Sequence, residues 1–425
     1  MGFEKITGYS SIKKELARLC DSIKNRKKYE ELGITLSQGL LLDGEPGVGK
    51  TLMANCFIEE SGLKAYTCRK DKSDGEFVNQ IRNAFNLALE NAPSIVFLDD
   101  MDKFANEDGF HRNAEEYITV QSCIDEVKNK GVFVLATTNS LGNLPDSLIR
   151  AGRFDTVIEV DVPRTDEATD IVKHYLSNKT HVEGINPEDI ARLLSGHSCA
   201  ELESVINLAG LYAGYNNKKA IEEEDIINAC MRIIYRAPEG ESGYSPEVAL
   251  RTAYHEAGHA VIAEILNPGC VNLLTIKNHY SDKAGFTSLS NPDDYWAYKS
   301  NMDNRVMTLL AGKAATEIVY GEEDMGVGND IERAYRILYR YPMHGAYGFD
   351  AMIWDDRMAS ENLKTKQNDL IAHELNVFYA KTKQMLIENR PFLDELAHEL
   401  AKKEVLARSQ IVKIKDKYQK EGVRV

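Results

Sequence analysis

Short apolar runs alternate with amphipathic stretches over residues 1–165. The runs at 40–42, 95–98 and 132–135 have the length of strands and contain no polar residue, which is typical of strands buried on both faces. Between them, residues 81–92 carry apolar side chains at helical spacing and end at a proline. This alternation predicts an α/β domain in which helices flank a parallel sheet.

The pattern changes after residue 165. Residues 166–236 are helical in periodicity throughout, and we expect a small helical lid there. Proline and glycine over 237–247 are typical of a linker. Residues 248–425 are again mainly helical, apart from a strand-like stretch at 271–290. The sequence therefore predicts an N-terminal α/β domain, a lid, a linker and a mainly helical second domain.

Charge and cysteine usage narrow the class of protein. The chain has 425 residues, a net charge of −15 and a pI near 5.3, so we expect neither nucleic acid nor anionic membranes as partners. Its seven cysteines form no C-x-x-C pair, which is typical of reduced thiols. We find no secretory signal and no run approaching the ~20 apolar residues of a membrane helix. The sequence therefore predicts a cytoplasmic protein without a membrane segment.

A complete phosphate-binding loop follows the first apolar run. Its glycines let main-chain N–H groups surround phosphates, its lysine reaches the terminal phosphates, and its threonine hydroxyl binds Mg²⁺. A predicted helix begins directly after it, which is the context that this motif requires. We therefore expect ATP and Mg²⁺ to bind at Gly44, Glu45, Pro46, Gly47, Val48, Gly49, Lys50, Thr51 and Leu52.

Polar residues follow the second and third apolar runs. Asp99 is placed to hold the Mg²⁺ shell, and Asp100 is placed to orient the attacking water. Active motors usually have glutamate at the second position, and an aspartate reaches about 1.5 Å less, which favours slow hydrolysis. Asn139 is placed to contact the attacking water or the γ-phosphate.

Two arginines, Arg150 and Arg153, follow three residues apart. Guanidinium groups neutralise charge on a transferring phosphoryl group, either within one chain or from a neighbouring chain. A P-loop, two acids, a polar residue and paired arginines in this order are typical of AAA+ ATPases.

A His-Glu-x-x-His motif lies in the second half of the chain. His255 and His259 are four residues apart on a predicted helix, so both imidazoles face one side and can bind one Zn²⁺. Glu256 is placed to deprotonate a zinc-bound water and to return the proton. A third protein ligand is needed, and the spacing leaves open Asp330, Glu332, His279, His344 and Glu317.

These motifs, in this order, resemble the FtsH family of AAA+ zinc metalloproteases, and the similarity runs over nearly the whole chain. Other segments that resemble the family are 3–8, 196–202, 310–321, 328–331 and 386–396. The resemblance implies Asp330 as the third zinc ligand and places Ile6 and Thr7 beside the adenine. It also implies a homo-hexamer, in which Arg150 and Arg153 reach the neighbouring subunit's ATP.

The expected architecture is an α/β P-loop AAA+ domain (1–165) with a helical lid (166–236), followed after the linker (237–247) by a mainly α-helical zinc metallopeptidase domain (248–425). The expected function is ATP-dependent endopeptidase cleavage of unfolded or loosely folded proteins or peptides, with Zn²⁺, ATP and Mg²⁺ as cofactors.

Three features depart from the family pattern. The sequence starts at Met1, directly before the ATPase module, without the usual N-terminal membrane helices. We expect either a soluble relative or a fragment, and the initiating Met1 favours the former. Asp100 replaces the usual glutamate. The pore-loop motif falls on 73–75, where the aromatic that grips substrate is missing, and Phe77 is a candidate replacement. These departures raise two alternatives: an ATP-gated chaperone or remodelling ATPase with weak or no threading, and a zinc peptidase with a slow nucleotide-dependent switch.

Overall fold

The computed structural model describes residues 2–70, 76–105, 114–149, 152–238, 240, 243–279, 283–290, 298–322, 325–348, 352 and 359–420. The chain forms two compact units, Met1–Glu222 and Glu223–Val425, each with its own hydrophobic core. Across these described stretches, no helix is both long enough and apolar enough to span a bilayer.

The first unit is built on a parallel sheet of five strands: β1 (Gly39–Asp43), β2 (Lys64–Arg69), β3 (Ser94–Asp99), β4 (Val132–Thr138) and β5 (Thr156–Glu159). Their order across the sheet is β2-β3-β4-β1-β5. The three central strands are buried almost throughout, which explains their uninterrupted apolar runs. Because all strands are parallel, the carboxyl ends of β1, β3 and β4 meet at one edge, where ligands of such sheets bind.

Helices accompany this sheet and continue beyond it. They are α1 (Ser10–Lys24), α2 (Arg26–Glu30), α3 (Lys50–Ser61), α4 (Phe77–Glu90), α5 (Ala114–Val127), α6 (Thr165–Ser177), α7 (Pro187–Leu193) and α8 (Cys199–Tyr215). The amphipathic pattern seen in the sequence belongs to α4, which buries Ile81, Phe85 and Ala88. α8 begins with a capping box, in which Ser198 and Glu201 satisfy each other's main-chain N–H groups.

The second unit is mainly helical. Its elements are α9 (Glu223–Ile233), α10 (Pro246–Leu266), β6 (Val271–His279), β7 (Lys283–Leu289), α11 (Lys299–Tyr320), α12 (Gly328–Tyr339), α13 (Glu361–Glu388), α14 (Arg390–Lys403), β8 (Val405–Ala407) and α15 (Arg408–Lys420). Its three strands form an antiparallel sheet in the order β7-β6-β8. α10 lies at the centre of this unit, in contact with α11, α14 and the sheet.

This architecture confirms the predicted fold class, an α/β unit with additional helices followed by a mainly helical unit. The strand-like stretch at 271–290 corresponds to β6 and β7. α9 belongs to the second unit by its contacts, although we assigned its residues to the lid. The bounds of the four predicted segments stay predictions.

Candidate nucleotide and metal sites

A cavity of about 770 Å³ lies at the carboxyl edge of the sheet in the first unit. It is lined by the P-loop from Pro46 through the first turn of α3, and by Ile6, Thr7, Asp100 and Asn139. Gly47 and Gly49 have φ of +85° and +101°, a left-handed conformation that glycine adopts without strain. The fold therefore brings the predicted nucleotide-binding segments to one cavity.

The Lys50 ammonium is held over the P-loop by main-chain carbonyl groups of that loop. Its ammonium donates to the carbonyl oxygens of Gly44 at 2.7 Å and Glu45 at 2.8 Å. It also donates to Oδ1 of Asn139 at 3.0 Å. Burial lowers the pKa of Lys50. The predicted phosphate-binding lysine and the predicted polar residue after β4 are thus direct neighbours.

Asp99 is surrounded by donors at the end of β3. Its Oδ1 accepts from the hydroxyls of Thr51 at 3.0 Å and Thr137 at 2.9 Å. Its Oδ2 lies 3.2 Å from Nη1 of Arg69, at the end of β2. The contact with Thr51 supports a shared role in holding Mg²⁺. The sequence analysis missed Arg69, because β2 carries no uninterrupted apolar run that would mark its end.

Asp100 has a left-handed main chain, with φ of +55°. Its N–H donates to Oγ1 of Thr137 at 2.8 Å, and its Oδ2 accepts from Nζ of Lys103 at 2.7 Å. Burial raises the pKa of Asp100, but the hydrogen bond and charge of Lys103, together with the charges of Arg69 and Lys50, outweigh it, so the net shift is downward. The sequence analysis also missed Lys103.

Four further residues line the cavity without having been predicted as site residues. His174, Tyr175 and Cys199 line it from α6 and α8, together with Tyr9. The Tyr9 hydroxyl donates to the carbonyl oxygen of Asp161 at 2.9 Å. Only Cys199 could have been found, since it lies in the segment 196–202 that resembles the family.

Arg153 is almost fully buried and bonded within its own unit. Its Nε and Nη2 donate to both carboxylate oxygens of Asp125, at 3.0 Å and 2.7 Å, and its Nη1 donates to the carbonyl oxygen of Ser147. These bonds direct its charge towards α5, so reaching a neighbouring ATP would require this pair to open. Arg150 lies outside the described residues, and a role of either arginine at a neighbouring site stays a prediction.

The pore-loop motif at 73–75 also lies outside the described residues. Phe77 was a candidate replacement for its aromatic, and this suggestion is wrong. The Phe77 side chain is 3% exposed and packs edge-to-face on Phe104, with ring centroids 4.9 Å apart. It therefore belongs to the core of the first unit.

In the second unit, two histidines and an aspartate converge on one point. His255 and His259 come from successive turns of α10, and Asp330 comes from the first turn of α12. The two Nε2 atoms are 3.1 Å apart, and each lies 3.3 Å from Oδ2 of Asp330. Three ligands at about 2.0 Å from a tetrahedral Zn²⁺ are separated by roughly 3.3 Å, so this arrangement fits zinc.

Neighbouring groups orient these side chains. Nδ1 of His259 donates to the carbonyl oxygen of Thr308 at 2.7 Å, which directs its Nε2 towards the convergence point. Burial raises the pKa of Asp330, but the hydrogen bonds from both histidines outweigh it and hold this pKa well below its usual range. Gly312 of α11 faces both imidazoles, and a Cβ there would lie 2.6 Å from Nε2 of His259. The group therefore needs a glycine on the adjacent helix.

Glu256 is buried beside this group. Its Oε2 accepts from the hydroxyl of Thr287 in β7 at 2.7 Å, and the same hydroxyl lies 3.1 Å from the Glu256 carbonyl oxygen. Burial raises the pKa of Glu256 above its usual range, which makes it a stronger proton acceptor than an exposed glutamate. Thr287 lies 31 residues from Glu256, and no sequence pattern connected the two.

The other candidate third ligands lie elsewhere or are engaged. Glu332 pairs with Arg336 at 2.6 Å, and Glu317 pairs with Lys383 at 2.9 Å and accepts from Tyr379. The side chain of His279 lies outside the described residues. Where side chains are described, His255, His259 and Asp330 form the one group of three that could hold a metal ion, and it does not include His344.

Comparison with known proteins assigns a family to each unit. Residues 40–162 match the ATPase family associated with various cellular activities (AAA), and residues 244–414 match peptidase family M41.

Curated relatives align with nearly the whole of this chain. The ATP-dependent zinc metalloprotease FtsH 2 of Thermoanaerobacter sp. (strain X514) is 28% identical over 425 residues, which cover 96% of this chain and 82% of the relative. The ATP-dependent zinc metalloprotease FtsH of Bacillus subtilis (strain 168) is 31% identical over 440 residues, covering 96% and 69%. The FtsH 3 protein of Petrotoga mobilis is 31% identical over 442 residues, covering 96% and 68%.

Proposed function

The chain belongs to the FtsH family of ATP-dependent zinc metalloproteases, and we propose that it cleaves protein chains at the group formed by His255, His259, Asp330 and Glu256. Membership confirms the predicted enzyme class and cofactors, Zn²⁺ and ATP with Mg²⁺. The observation that carries the proposed site is the convergence of three ligand atoms, at zinc spacing, beside a buried glutamate.

In the proposed peptidase reaction, the two imidazoles and the Asp330 carboxylate would hold Zn²⁺, and a bound zinc would supply Lewis-acid polarisation of the scissile carbonyl and a more acidic water. Glu256 takes the proton from the attacking water and returns it to the leaving amine nitrogen. Thr287 orients the Glu256 carboxylate through its bond to Oε2. The Thr308 carbonyl keeps the ring of His259 in the orientation that presents Nε2.

In the proposed ATPase reaction, Lys50 and the P-loop N–H groups would bind the phosphates, and Thr51 and Asp99 would hold Mg²⁺. Asp100 would orient the attacking water, and Asn139, which contacts Lys50, would contact that water or the γ-phosphate. Ile6 and Thr7 line the same cavity and would contact the base.

The finer features are proposals carried by the family resemblance. The substrates are unfolded or loosely folded proteins or peptides, and the active form is a homo-hexamer in which Arg150 or Arg153 reaches the next subunit's ATP. A cytoplasmic location stays a prediction. The relatives do not favour the chaperone alternative, because they are named as proteases.

Casein hydrolysis by the zinc-loaded full chain tests the peptidase site. Glu256→Gln should lower the rate about 10²- to 10⁴-fold, since it removes a general base, while ATP hydrolysis stays at the wild-type rate. Glu247→Gln, an exposed change on the same helix, is the matched control and should cleave normally. Cleavage that survives Glu256→Gln would show that the active site is assigned wrongly.

The ATP requirement is tested in the same assay. Wild-type protein should degrade casein with ATP and Mg²⁺ and lose most of this activity with a non-hydrolysable ATP analogue. Lys50→Ala should reproduce that loss with ATP, because the ammonium that binds the phosphates is missing. Equal cleavage with and without hydrolysable ATP would exclude a motor role for the first unit.

A further inference from the structure

Lys103 is placed against Asp100 by the local geometry of a single turn. The two residues are three apart across the 3₁₀ turn Met101–Lys103, in which side chains at i and i+3 lie over one another. The Lys103 N–H donates to the Asp100 carbonyl oxygen at 3.0 Å, which closes the turn. The ammonium then donates to Oδ2 of Asp100 at 2.7 Å. No long-range packing is needed to form this contact.

The main chain of Asp100 is fixed independently of the Lys103 side chain. Its N–H donates to Oγ1 of Thr137 in β4 at 2.8 Å, and that hydroxyl donates to Oδ1 of Asp99. The carboxylate is therefore the part of Asp100 that can move. Both Asp100 and Lys103 line the nucleotide cavity, where their side chains are 20% and 50% exposed. The pair can thus open into the cavity.

We propose that Lys103 is a positioning residue that restrains ATP hydrolysis by holding the Asp100 carboxylate away from the attacking water. The proposal rests on the proposed role of Asp100 in orienting that water. While Oδ2 accepts from the ammonium, the carboxylate has less capacity to accept from water. Hydrolysis then requires the ion pair to open.

The charges around Asp100 act in the same direction. Burial raises the pKa of this carboxyl, but Lys103 lowers it by hydrogen bond and charge, and Arg69 from β2 and Lys50 from α3 lower it further. The acids Asp99 and Asp102 lie on the same segment and face Lys50 as well. Lys103 is the largest of the three cationic influences.

The restraint is modest because the pair is partly exposed. Ion pairs of this kind contribute little in water, so opening the pair is only about 1.5- to 5-fold less favourable than leaving it closed. Removing the ammonium should raise kcat for ATP by that factor. Because salt screens exposed pairs, the difference should shrink as ionic strength rises.

Steady-state ATP hydrolysis by the full chain tests the proposal. Lys103→Met and Lys103→Gln should both raise kcat about 1.5- to 5-fold, with the KM for ATP within twofold of wild type. Lys103→Arg keeps a cation in place and should keep the wild-type rate.

Two further comparisons separate the restraint from general effects. Lys173→Met removes the lysine of another i, i+3 pair with an aspartate, Asp170, on the surface of α6, and should leave kcat unchanged. In an Asp100→Asn background, Lys103→Met should have no further effect on kcat, since the carboxylate that it restrains is absent.

The possible negative results separate the proposed role of Asp100 from the proposed restraint by Lys103. If Asp100→Asn leaves kcat unchanged, the proposed role of Asp100 fails. If Asp100→Asn lowers kcat but Lys103→Met and Lys103→Gln leave kcat unchanged or lower it, the role of Asp100 stands and the restraint is overturned. An equal gain from Lys173→Met, or a gain in the Asp100→Asn background, would also overturn the restraint.

Discussion

Replacing Gly312 by alanine should disrupt the metal group while leaving the first unit active. Gly312 lies within α11, and its Cα faces the imidazoles of His255 and His259 on α10. A Cβ there would lie 2.6 Å from Nδ1 of His255 and 2.6 Å from Nε2 of His259. Nonbonded atoms of this kind need about 3.4 Å, and Cε1 of His255 would lie closer still, so the rings would have to move by about 0.8 Å or more.

That displacement is large compared with what a zinc site tolerates. Ligand distances are held within about 0.2 Å, and a misplacement near 1 Å costs about 100-fold in rate. We therefore expect at least a 100-fold loss in kcat/KM for casein, equivalent to about 2.7 kcal/mol. The loss should be matched by weaker zinc binding, because the two imidazoles can no longer approach the same point.

Two quantities should be measured: zinc affinity, by competition with a chromophoric chelator, and kcat/KM for casein. ATP hydrolysis checks that the chain is folded. Gly214→Ala is the matched control: it also lies within a helix, α8, and a Cβ there meets no atom within 4 Å. It should keep wild-type zinc affinity and cleavage. If Gly312→Ala binds zinc and cleaves casein within threefold of wild type, α11 does not limit the metal group as described.

Two further substitutions test contacts around α10. Thr287→Val removes the hydroxyl that orients Glu256 and should lower kcat for casein about 10-fold, with little change in KM. Thr287→Ser keeps a hydroxyl and should keep most of the wild-type kcat. Wild-type activity of the valine variant would contradict an orienting role. Lys415→Met removes the buried partner of Glu264, whose carboxylate lies 2.9 Å from the Lys415 ammonium. Glu264 then keeps only the N–H groups of Gly269 and Val271 as donors. The second unit should therefore lose about 3 kcal/mol of stability, measured by urea unfolding of the full chain. The double variant with Glu264→Gln should recover part of that loss, and no recovery would mean that the ion pair is not its cause.

Burial explains which strands could be predicted from the sequence. β1, β3 and β4 are covered on both faces, so each is an uninterrupted apolar run. β2 and β5 lie at the two edges of the sheet and are partly exposed, so their side chains are mixed and carry no such signal. The central sheet and the position of its carboxyl edge were therefore predictable, whereas its edges were not.

The nucleotide site was predictable where its chemistry is local. The P-loop is one continuous segment, Asp99 directly follows an apolar run, and Asn139 lies four residues after another. Arg69 and Lys103 were missed for different reasons. Arg69 reaches Asp99 only because β2 and β3 pair in register, and Lys103 reaches Asp100 only because the chain forms a 3₁₀ turn rather than a continued strand. Neither the strand pairing nor the turn is marked by a sequence motif. The cationic neighbours of Asp99 and Asp100 could therefore be identified only from the structure.

The metal group shows the same limit more sharply. His255 and His259 could be paired from spacing, because four residues make one helical turn and both side chains then face one side. Asp330 lies 75 residues from His255, on another helix, so spacing left it among five candidates and only the family resemblance selected it. Gly312 cannot bind a metal through a side chain and belongs to no metal-binding motif. Its lack of a Cβ nevertheless allows both imidazoles to fit against α11. Metal ligands can be recognised in a sequence by their residue types, but the space that they occupy depends on residues such as Gly312 that do not bind the metal.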